Sequence, residues 1–168
     1  MELENLIIED ISRSHERDFF SCGIGNLDNY LKFDARRHHN DGINHTKILT
    51  QKGMKEIIGY FSCAAASVTS NFFQDKTLKK IRGYEIPCIK LTRFAIDRRY
   101  QGRGLGQYLL ICALKHVCKV SENLGAAAVI IDAKNSSAKE FYIKNGFYEL
   151  SDLCVYLPIR EVRRSFKL

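Results

Sequence analysis

The chain of 168 residues has 45% hydrophobic and 27% charged side chains, with a formal net charge of +7. This length suits one domain spanning residues 1–168 with a complete core, and the composition excludes a low-complexity or disordered chain. The cationic excess favours a polyanionic partner such as a nucleic acid, and a solvated basic face is the alternative.

The sequence carries no targeting or metal-binding signal. The first residues, Met-Glu-Leu-Glu-Asn, are acidic, and the longest apolar runs are too short to span a bilayer, so a cytoplasmic protein without membrane contact is expected. The six cysteines form no C-x-x-C pair and are expected to stay reduced. Adjacent His38 and His39 would lie on different faces of a helix, so no metal site is predicted.

The N-terminal part predicts a strand followed by an amphipathic helix. Residues 6–11 alternate as in a strand, Asn26 is the predicted N-cap of the helix, and the helix is expected to end before Gly42. One side of this helix is apolar and consists of Leu27, Tyr30, Leu31 and Ala35. The opposite side carries Lys32, Arg36 and Arg37. It is either a solvated face or a surface for an anionic partner.

The middle of the chain predicts two strands over residues 46–50 and 56–70, joined by a turn at Lys52-Gly53. Small residues at 63–66 either leave room for a ligand or allow close packing of a helix on the sheet. Residues 71–87 predict a lysine-rich loop with a short helical turn. Pro87 is expected to bound a strand over residues 88–96, in which Arg93 needs either a carboxylate or a phosphate as partner.

A glycine-rich turn at residues 101–106 is the main candidate for ligand binding. Apolar residues follow it at helical spacing, at positions 105, 109, 113, 117, 120 and 124. Gly104 and Gly106 allow a ligand to approach, the amides of residues 101–106 are expected to point outward, and the helix N-terminus favours a phosphate or pyrophosphate. A Walker loop is excluded because Gly106 is not followed by Lys-Ser or Lys-Thr. A dinucleotide fingerprint is excluded because the glycines are spaced by two.

The C-terminal part predicts further strands and one more helix. Residues 126–133 are a continuous apolar run, typical of a strand that is covered on both faces. Ser137 with Glu140 predicts a capping box at the start of a helix that Gly146 ends. Strands are expected over residues 147–150 and 154–159, and the basic tail of residues 160–168 is expected to be mobile.

Two motifs resemble those of the GNAT N-acetyltransferases. Gln101, Gly104 and Gly106 match Q-x-x-G-x-G, the acetyl-CoA pyrophosphate motif of that family, and residues 135–147 are similar to its N-x-x-A-x-x-F-Y-x-x-x-G-F segment. The resemblance implies acetyl-CoA as cofactor and an α/β (α+β) single-domain fold. This fold has a central mixed, mostly antiparallel sheet of six to seven strands flanked by about four helices.

The same resemblance implies which residues form the site. The cofactor-binding residues would be Phe94, Ala95, Ile96, Gln101, Gly102, Arg103, Gly104, Leu105, Gly106, Asn135 and Ala138. Tyr142 would face the CoA sulfur, where a phenol with a pKa near 10 is protonated at neutral pH and can supply a proton to the departing thiolate. The alternative is that Tyr142 only packs against CoA or orients it. A backbone amide within residues 94–96 is the expected oxyanion donor.

The sequence offers no strong general base. Glu56 and Glu85 lie near predicted strand ends, where each could relay a proton through water or simply be a surface carboxylate. An α-amine with a pKa of about 8 is roughly a tenth neutral at pH 7, whereas a lysine amine with a pKa of about 10.4 is almost fully charged. An α-amine is therefore the easier acceptor.

A further resemblance narrows the family to a subgroup. F-x-C-G at residues 20–23, L-D-x-Y-L at 27–31 and the run at 59–68 resemble the tRNA-acetylating toxins of the TacT and AtaT type. This implies acetylation of the α-amine of aminoacyl-tRNA, which blocks translation, together with a homodimer and a ribbon-helix-helix antitoxin. The candidate tRNA contacts are Lys32, Arg36, Arg37, Lys79, Lys80 and Arg93.

Two other functions stay open from the sequence. The first is a GNAT N-acetyltransferase that acts on a protein N-terminus or a small-molecule amine. The second is a CoA-bound module that binds RNA or protein. A third possibility is that the basic tail and the basic faces serve only contacts between copies of the chain.

Overall fold

The structure, a computed structural model, describes residues 3–81 and 83–167. The acidic N-terminus, the lysine-rich loop and the basic tail each include residues outside this range, namely Met1, Glu2, Arg82 and Leu168. A seven-stranded sheet has the order β1-β2-β3-β4-β5-β7-β6. The strands are β1 (Leu6–Asp10), β2 (His45–Gln51), β3 (Gly59–Thr69), β4 (Glu85–Ile96), β5 (Ala128–Asp132), β6 (Tyr148–Glu149) and β7 (Cys154–Pro158).

The sheet is mixed and mostly antiparallel, which confirms the predicted fold class. β4 and β5 run parallel, whereas β1 with β2, β2 with β3, β5 with β7 and β6 with β7 are antiparallel pairs. The parallel pair is connected through a helix, as parallel pairing requires.

The helices are α1 (Gly25–Asn29), α2 (Ala35–Asn40), α3 (Lys76–Lys79), α4 (Leu105–Val120), α5 (Ser136–Lys144) and α6 (Ile159–Phe166). A π-helical turn, Tyr30–Asp34, joins α1 to α2, so these form one helical segment. Apart from α3, which is a single turn, the helical segments agree with the predicted number of about four. Within the described residues, no helix is both long and apolar enough to cross a membrane.

The chain divides into two compact units. Unit one consists of Met1–Ala64 and Thr92–Cys112. Its core includes Tyr30, Leu31 and Ala35, and Leu27 packs against this core, so the predicted apolar side of the first helix is confirmed. The cluster also contains Phe20, Ile48 and Tyr60, with the Phe20 and Tyr60 rings in edge contact at 5.5 Å.

Unit two consists of Ala65–Leu91 and Ala113–Leu168. Its core is built from Phe73, Leu78, Ile86, Cys88, Ala128, Ile130 and Tyr156. Ala128 to Ile131 are all buried, as predicted for a strand covered on both faces. β6 is shorter than predicted and comprises two residues, which pair with Tyr156 and Val155 of β7.

Two predicted element starts were wrong. The first helix has Ile24 rather than Asn26 at its N-cap, because the amides of Leu27 and Asp28 donate to the Ile24 carbonyl at 3.0 and 3.1 Å. Pro87 lies inside β4 and does not bound it. Pro87 lacks an N–H to donate, but its carbonyl accepts the Ala127 amide at 2.8 Å.

Two predictions on element ends were also wrong. α4 ends at Val120, and Leu124, expected to continue its apolar side, is exposed. The basic tail forms α6, which buries Ile159 and Val162 and therefore packs on unit two. Arg163 of α6 also donates to the Ser121 hydroxyl at 2.9 Å.

Candidate active site

The glycine-rich turn leads from β4 into α4 through a short 3-10 helix, Arg98–Tyr100. Gly102 and Gly104 have φ values of 73° and 76°, in the left-handed region that favours glycine, and a methyl group at either would meet nothing within 4 Å. In the described chain, the amides of residues 104–107 have no hydrogen-bond acceptor. Exposed donors at the start of a 16-residue helix fit a pyrophosphate.

The Gln101 side chain fixes the base of this turn. Its amide nitrogen donates to the carbonyl of Cys22 at 3.0 Å and to that of Ile96 at 2.8 Å. Its backbone amide donates to the Arg98 carbonyl at 3.3 Å, so the outward-pointing amides expected over residues 101–106 do not include the first. Gln101 thus ties the turn to β4 and to the F-x-C-G segment.

A buried carboxylate that the sequence did not reveal supports the same turn. Asp97 accepts the Ser21 amide at 3.1 Å and the Arg99 amide and side chain, each at 2.9 Å. Burial alone would raise the pKa of Asp97, but the hydrogen bonds from Arg99 and Ser21 bring it below its usual value. Arg99 also binds Glu56 at 2.6 Å, so the proton-relay candidate Glu56 is held in an ion pair.

The end of β4 packs closely on β3 within unit one. A methyl group on Gly59 would lie 2.6 Å from the Ile96 side chain and 2.9 Å from the Ala95 carbonyl oxygen, so only glycine fits there. The pairing of β4 with β5 ends at Leu91 opposite Ile131. Residues 94–96, predicted to contact the cofactor through the backbone, lie beyond that ladder, and the Ile96 carbonyl is already bound by Gln101.

Asn135 caps α5. Its side-chain oxygen accepts the amide of Ala138 at 2.8 Å, so the predicted capping box of Ser137 and Glu140 was wrong. Asn135 precedes the helix in an extended conformation, which is the geometry of an N-cap, whereas Ser137 is already helical. The polar groups of Asn135 and Ala138 that were candidates for the cofactor therefore serve, at least in part, to start this helix.

Tyr142 lies on α5 among aromatic rings of unit two. It is 5% exposed, and its ring centroid lies 5.3 Å from that of Phe141 and 5.7 Å from that of Phe147. Gly146, with φ of 95°, ends the helix and turns the chain so that Phe147 is buried. Burial raises the pKa of the Tyr142 phenol above its usual value. The hydroxyl is therefore protonated at neutral pH, as a proton donor must be.

The predicted basic face of the first helical segment is present, but its members differ. Lys32 lies 3.5 Å from Asp18, and Arg37 lies 2.7 Å from Asp34, both pairs largely exposed. Arg36 is half-buried, and its Nε is enclosed without a hydrogen-bond partner. Lys79 and Lys80, in contrast, lie in unit two and are exposed.

Arg93 stands over Tyr30 with no carboxylate beside it in the described chain. Its guanidinium carbon lies 4.5 Å from the Tyr30 ring centroid, and Nη1 donates to the Thr92 carbonyl at 2.7 Å. The salt bridge considered for Arg93 is therefore not found among residues 3–81 and 83–167. The His38 ring makes an edge contact with Tyr30 at 5.6 Å, and Tyr30 is itself 5% exposed.

This group, the Tyr30 cluster of Tyr30, His38 and Arg93, has unused polar atoms. The Tyr30 hydroxyl and the His38 Nδ1 are enclosed without a hydrogen-bond partner. Enclosed polar atoms without a hydrogen-bond partner are costly unless a ligand supplies one, and Arg93 adds a positive charge with no carboxylate partner among the described residues. Of these three residues only Arg93 is a candidate from the sequence, because Tyr30 fits an ordinary apolar helix position.

The second relay candidate, Glu85, is also engaged. It accepts hydrogen bonds from the Ser67 hydroxyl at 2.9 Å and the Thr69 hydroxyl at 2.8 Å. These bonds, that from Thr69 foremost, lower the pKa of Glu85. The described residues contain no group of three or more metal-ligating side chains.

Comparisons with known proteins agree with this arrangement. A family model for the GNAT acetyltransferase domain matches residues 47–149. A tRNA-acetylating toxin of Mycobacterium tuberculosis is 29% identical over 137 residues, covering 82% of this chain and 81% of that protein.

Two solved toxins have the same fold. A Tyr-to-Phe mutant of KacT superposes with a TM-score of 0.90 at 27% identity, covering 96% of this chain and 99% of that one. AtaT in complex with acetyl-methionyl-tRNA gives a TM-score of 0.88 at 27% identity, with the same coverage. AtaT has also been solved with acetyl-CoA and the C-terminus of its antitoxin AtaR, with a TM-score of 0.81 at 25% identity over 97% of this chain and 99% of that one.

Proposed function

The chain belongs to the GNAT acetyltransferase family, and we propose that it transfers the acetyl group of acetyl-CoA to the α-amine of aminoacyl-tRNA. Such a reaction blocks the amine that translation requires, so the protein would act as a toxin. The observation that carries the RNA part is the Tyr30 cluster, in which the Arg93 guanidinium has no carboxylate partner among the described residues and two enclosed polar atoms have no hydrogen-bond partner. The names of the similar toxins support the same substrate.

The glycine-rich turn suits the pyrophosphate of acetyl-CoA. Residues 104–107 offer backbone amides at the N-terminus of α4, and Gly102 and Gly104 leave the surface above the turn open. Bound acetyl-CoA would supply an acetyl thioester as the electrophile. Gln101 and Asp97 would hold the turn in place from below, which makes them positioning residues.

Tyr142 would donate the proton that the departing thiolate needs. Burial keeps the phenol protonated, and the thiolate that leaves as the C–S bond breaks takes up the proton, since its conjugate thiol has a reference pKa of about 8.5 and it is therefore a stronger base than a carboxylate or water. A backbone amide of residues 94–96 would stabilise the oxyanion, and the backbone groups of Phe94, Ala95 and Ile96 would align the pantetheine.

The acceptor would be an amine that is partly neutral without help from a base. Glu56 and Glu85 are both occupied by other partners, so neither is a free proton acceptor. An α-amine, with a pKa of about 8, meets this condition far better than a lysine side chain. Arg93, placed over Tyr30, would bind a phosphate of the RNA, and Lys32, Arg36 and Arg37 would add electrostatic attraction.

Three further properties belong to this proposal. The chain would form a single domain in the cytoplasm and pair with a second copy. A ribbon-helix-helix antitoxin would neutralise it, and the antitoxin-bound structure of AtaT supports a protein inhibitor of some kind.

The test is acetyl transfer from carbon-labelled acetyl-CoA to charged tRNA, uncharged tRNA and basic peptides, with wild type, Tyr142→Phe and Tyr148→Phe. Tyr148 is the matched control because it is exposed and its hydroxyl binds Glu161. We expect wild type and Tyr148→Phe to transfer label to charged tRNA alone. Tyr142→Phe should lose this transfer. Label on peptides instead would establish an ordinary N-acetyltransferase, and no label anywhere would leave a CoA-bound binding module.

A further inference from the structure

The loop between β3 and β4 is closed and anchored within unit two. The Ser70 amide donates to the Tyr84 carbonyl at 3.1 Å, which closes residues 71–83 at their base. The Asp75 amide donates to the Tyr156 hydroxyl at 3.0 Å, and the Asp75 carboxylate pairs with Arg160 of α6. These contacts fix the backbone that carries the exposed side chains of the loop.

Two exposed aromatic residues lie close in the chain to the residues that form this hydrogen bond: Tyr84 supplies its carbonyl, and Phe72 follows Ser70 by two positions. Phe72 is 60% exposed and Tyr84 is 67% exposed. Phe73, the neighbour of Phe72, is buried against Tyr156 at 5.0 Å, so the core of unit two does not need Phe72. Phe72 and Tyr84 therefore leave apolar surface in solvent on a loop that also carries exposed lysines, unlike a single exposed ring, which needs no explanation.

The same loop carries three lysines. Lys76, Lys79 and Lys80 line, with Asn71, an open cavity of about 550 Å³. In the described part of the chain these lysines form no ion pair, and the carboxylates of Asp75 and Glu85 bind Arg160 and two hydroxyls respectively.

We infer that this surface binds unpaired nucleotides of RNA, with the lysines on phosphates and Phe72 and Tyr84 stacked on bases. An acidic peptide would satisfy the lysines and leave the rings in water, and an apolar protein surface would cover the rings but desolvate three charges. An unpaired RNA strand satisfies both sets at once. The inference rests on the proposed function in taking that RNA to be the tRNA substrate, whose charged end is single-stranded.

The test measures RNA binding without acetyl-CoA or an aminoacyl group, so its failure is separate from a failure of acetyl transfer. Fluorescence anisotropy of full-length protein would compare a labelled single strand of about 12 nucleotides with a hairpin duplex of equal length. The variants are Phe72→Ala with Tyr84→Ala, and Phe19→Ala as an exposed aromatic control, 73% exposed in unit one. Thermal melts would verify that each variant is folded.

We expect the double aromatic variant to lose at least about tenfold in affinity for the single strand, with a much smaller loss for the duplex, since each stacked base contributes about that factor. Phe19→Ala should change neither. Equal losses for both aromatic variants would overturn the inference. So would an unchanged RNA affinity in the double variant, and an accompanying shift in molar mass by light scattering would then assign the surface to contact between copies.

A second pair of variants tests the charges. The double variant Lys79→Glu, Lys80→Glu should make the plot of log binding constant against log salt concentration less steep. Its slope should decrease in magnitude by about 1.4, because each phosphate contact with a single strand contributes about 0.7. The control pair is Lys52→Glu with Lys55→Glu, two exposed lysines on the turn after β2. If the control pair gave the same change in slope, the change would follow from the net charge of the protein alone. That result would overturn the assignment of phosphate contacts to this loop.

Discussion

Tyr30 and Tyr142 are equally buried, each 5% exposed, yet their surroundings give them different chemistry. Tyr142 lies among Phe141 and Phe147, and burial keeps its phenol protonated. Tyr30 lies under Arg93 and beside His38, with an enclosed hydroxyl that has no partner. Burial alone therefore does not assign a role to a tyrosine. What decides is whether its neighbours are apolar rings or a charged side chain and polar atoms without partners.

The largest effect is expected for Tyr142→Phe. Loss of a general acid should lower kcat by about 10²–10⁴ and leave the KM for acetyl-CoA nearly unchanged. Because the pKa of Tyr142 is raised, wild-type kcat should not fall through loss of this proton below about pH 10. Steady-state kinetics between about pH 6 and 10 checks both points. A kcat within threefold of wild type would show that Tyr142 only packs.

Asp97→Asn tests a buried charge that is fully paired, in contrast to Arg93. Removing the ionised partner of Arg99 and of the Ser21 amide should cost about 2 kcal/mol of unfolding free energy, allowing for the exposure of Arg99. The lowered pKa of Asp97 means that this stability is present above about pH 4 and is lost as pH falls through the folded-state pKa. Urea unfolding at neutral pH and at about pH 3.5 should show the difference shrinking at the lower pH. A pH-independent difference would contradict this assignment.

Arg93→Ala should raise the KM for charged tRNA about tenfold to thirtyfold without changing the KM for acetyl-CoA, since a phosphate contact would be lost. Arg93→Lys should restore only part of the affinity, because lysine keeps the charge but not the planar fork stacked on Tyr30. Arg13→Ala, at an exposed arginine elsewhere in unit one, is the control. An equal rise of the KM for charged tRNA in Arg13→Ala would show that Arg93 acts only through the net charge of the protein.

The smallest effect is expected for Tyr30→Phe. Its ring contacts with Arg93 and His38 stay in place, and the removed hydroxyl has no partner, so unfolding free energy should be unchanged or slightly higher. The KM for charged tRNA should rise about threefold if the hydroxyl binds the substrate. Differential scanning calorimetry of both proteins checks the first point. A loss of more than about 1 kcal/mol would show that the hydroxyl already has a partner in the free protein.

Much of the fold was predictable because it follows local periodicity. Alternation placed β1, and the apolar run placed β5. Of the two glycines expected to open the turn, Gly104 has a positive φ, whereas Gly106 is already helical and the other positive φ is at Gly102. Failures occurred where two local signals compete. Ser137 and Asn135 are both good caps, and only the backbone conformation of Asn135 decides between them.

The basic tail shows a different limit of sequence reasoning. Its charges suggested mobility, but Ile159 and Val162 are spaced to bury one side of a helix, and Arg160 and Arg163 find partners in unit two. Those partners, Asp75 and Ser121, are distant in the chain, so no local pattern predicted them.

The sequence by itself determined the family and the order of its elements. The glycine turn and the segment around Tyr142 are each made of residues close together in the chain, so both motifs can be identified without the fold. Only the tertiary structure decided which residues hold that turn and which form the Tyr30 cluster. Gln101 reaches Cys22, Asp97 reaches Ser21 and Arg93 reaches Tyr30, each across more than sixty residues. Such contacts depend on strand pairing and core packing, which join side chains that no local periodicity relates.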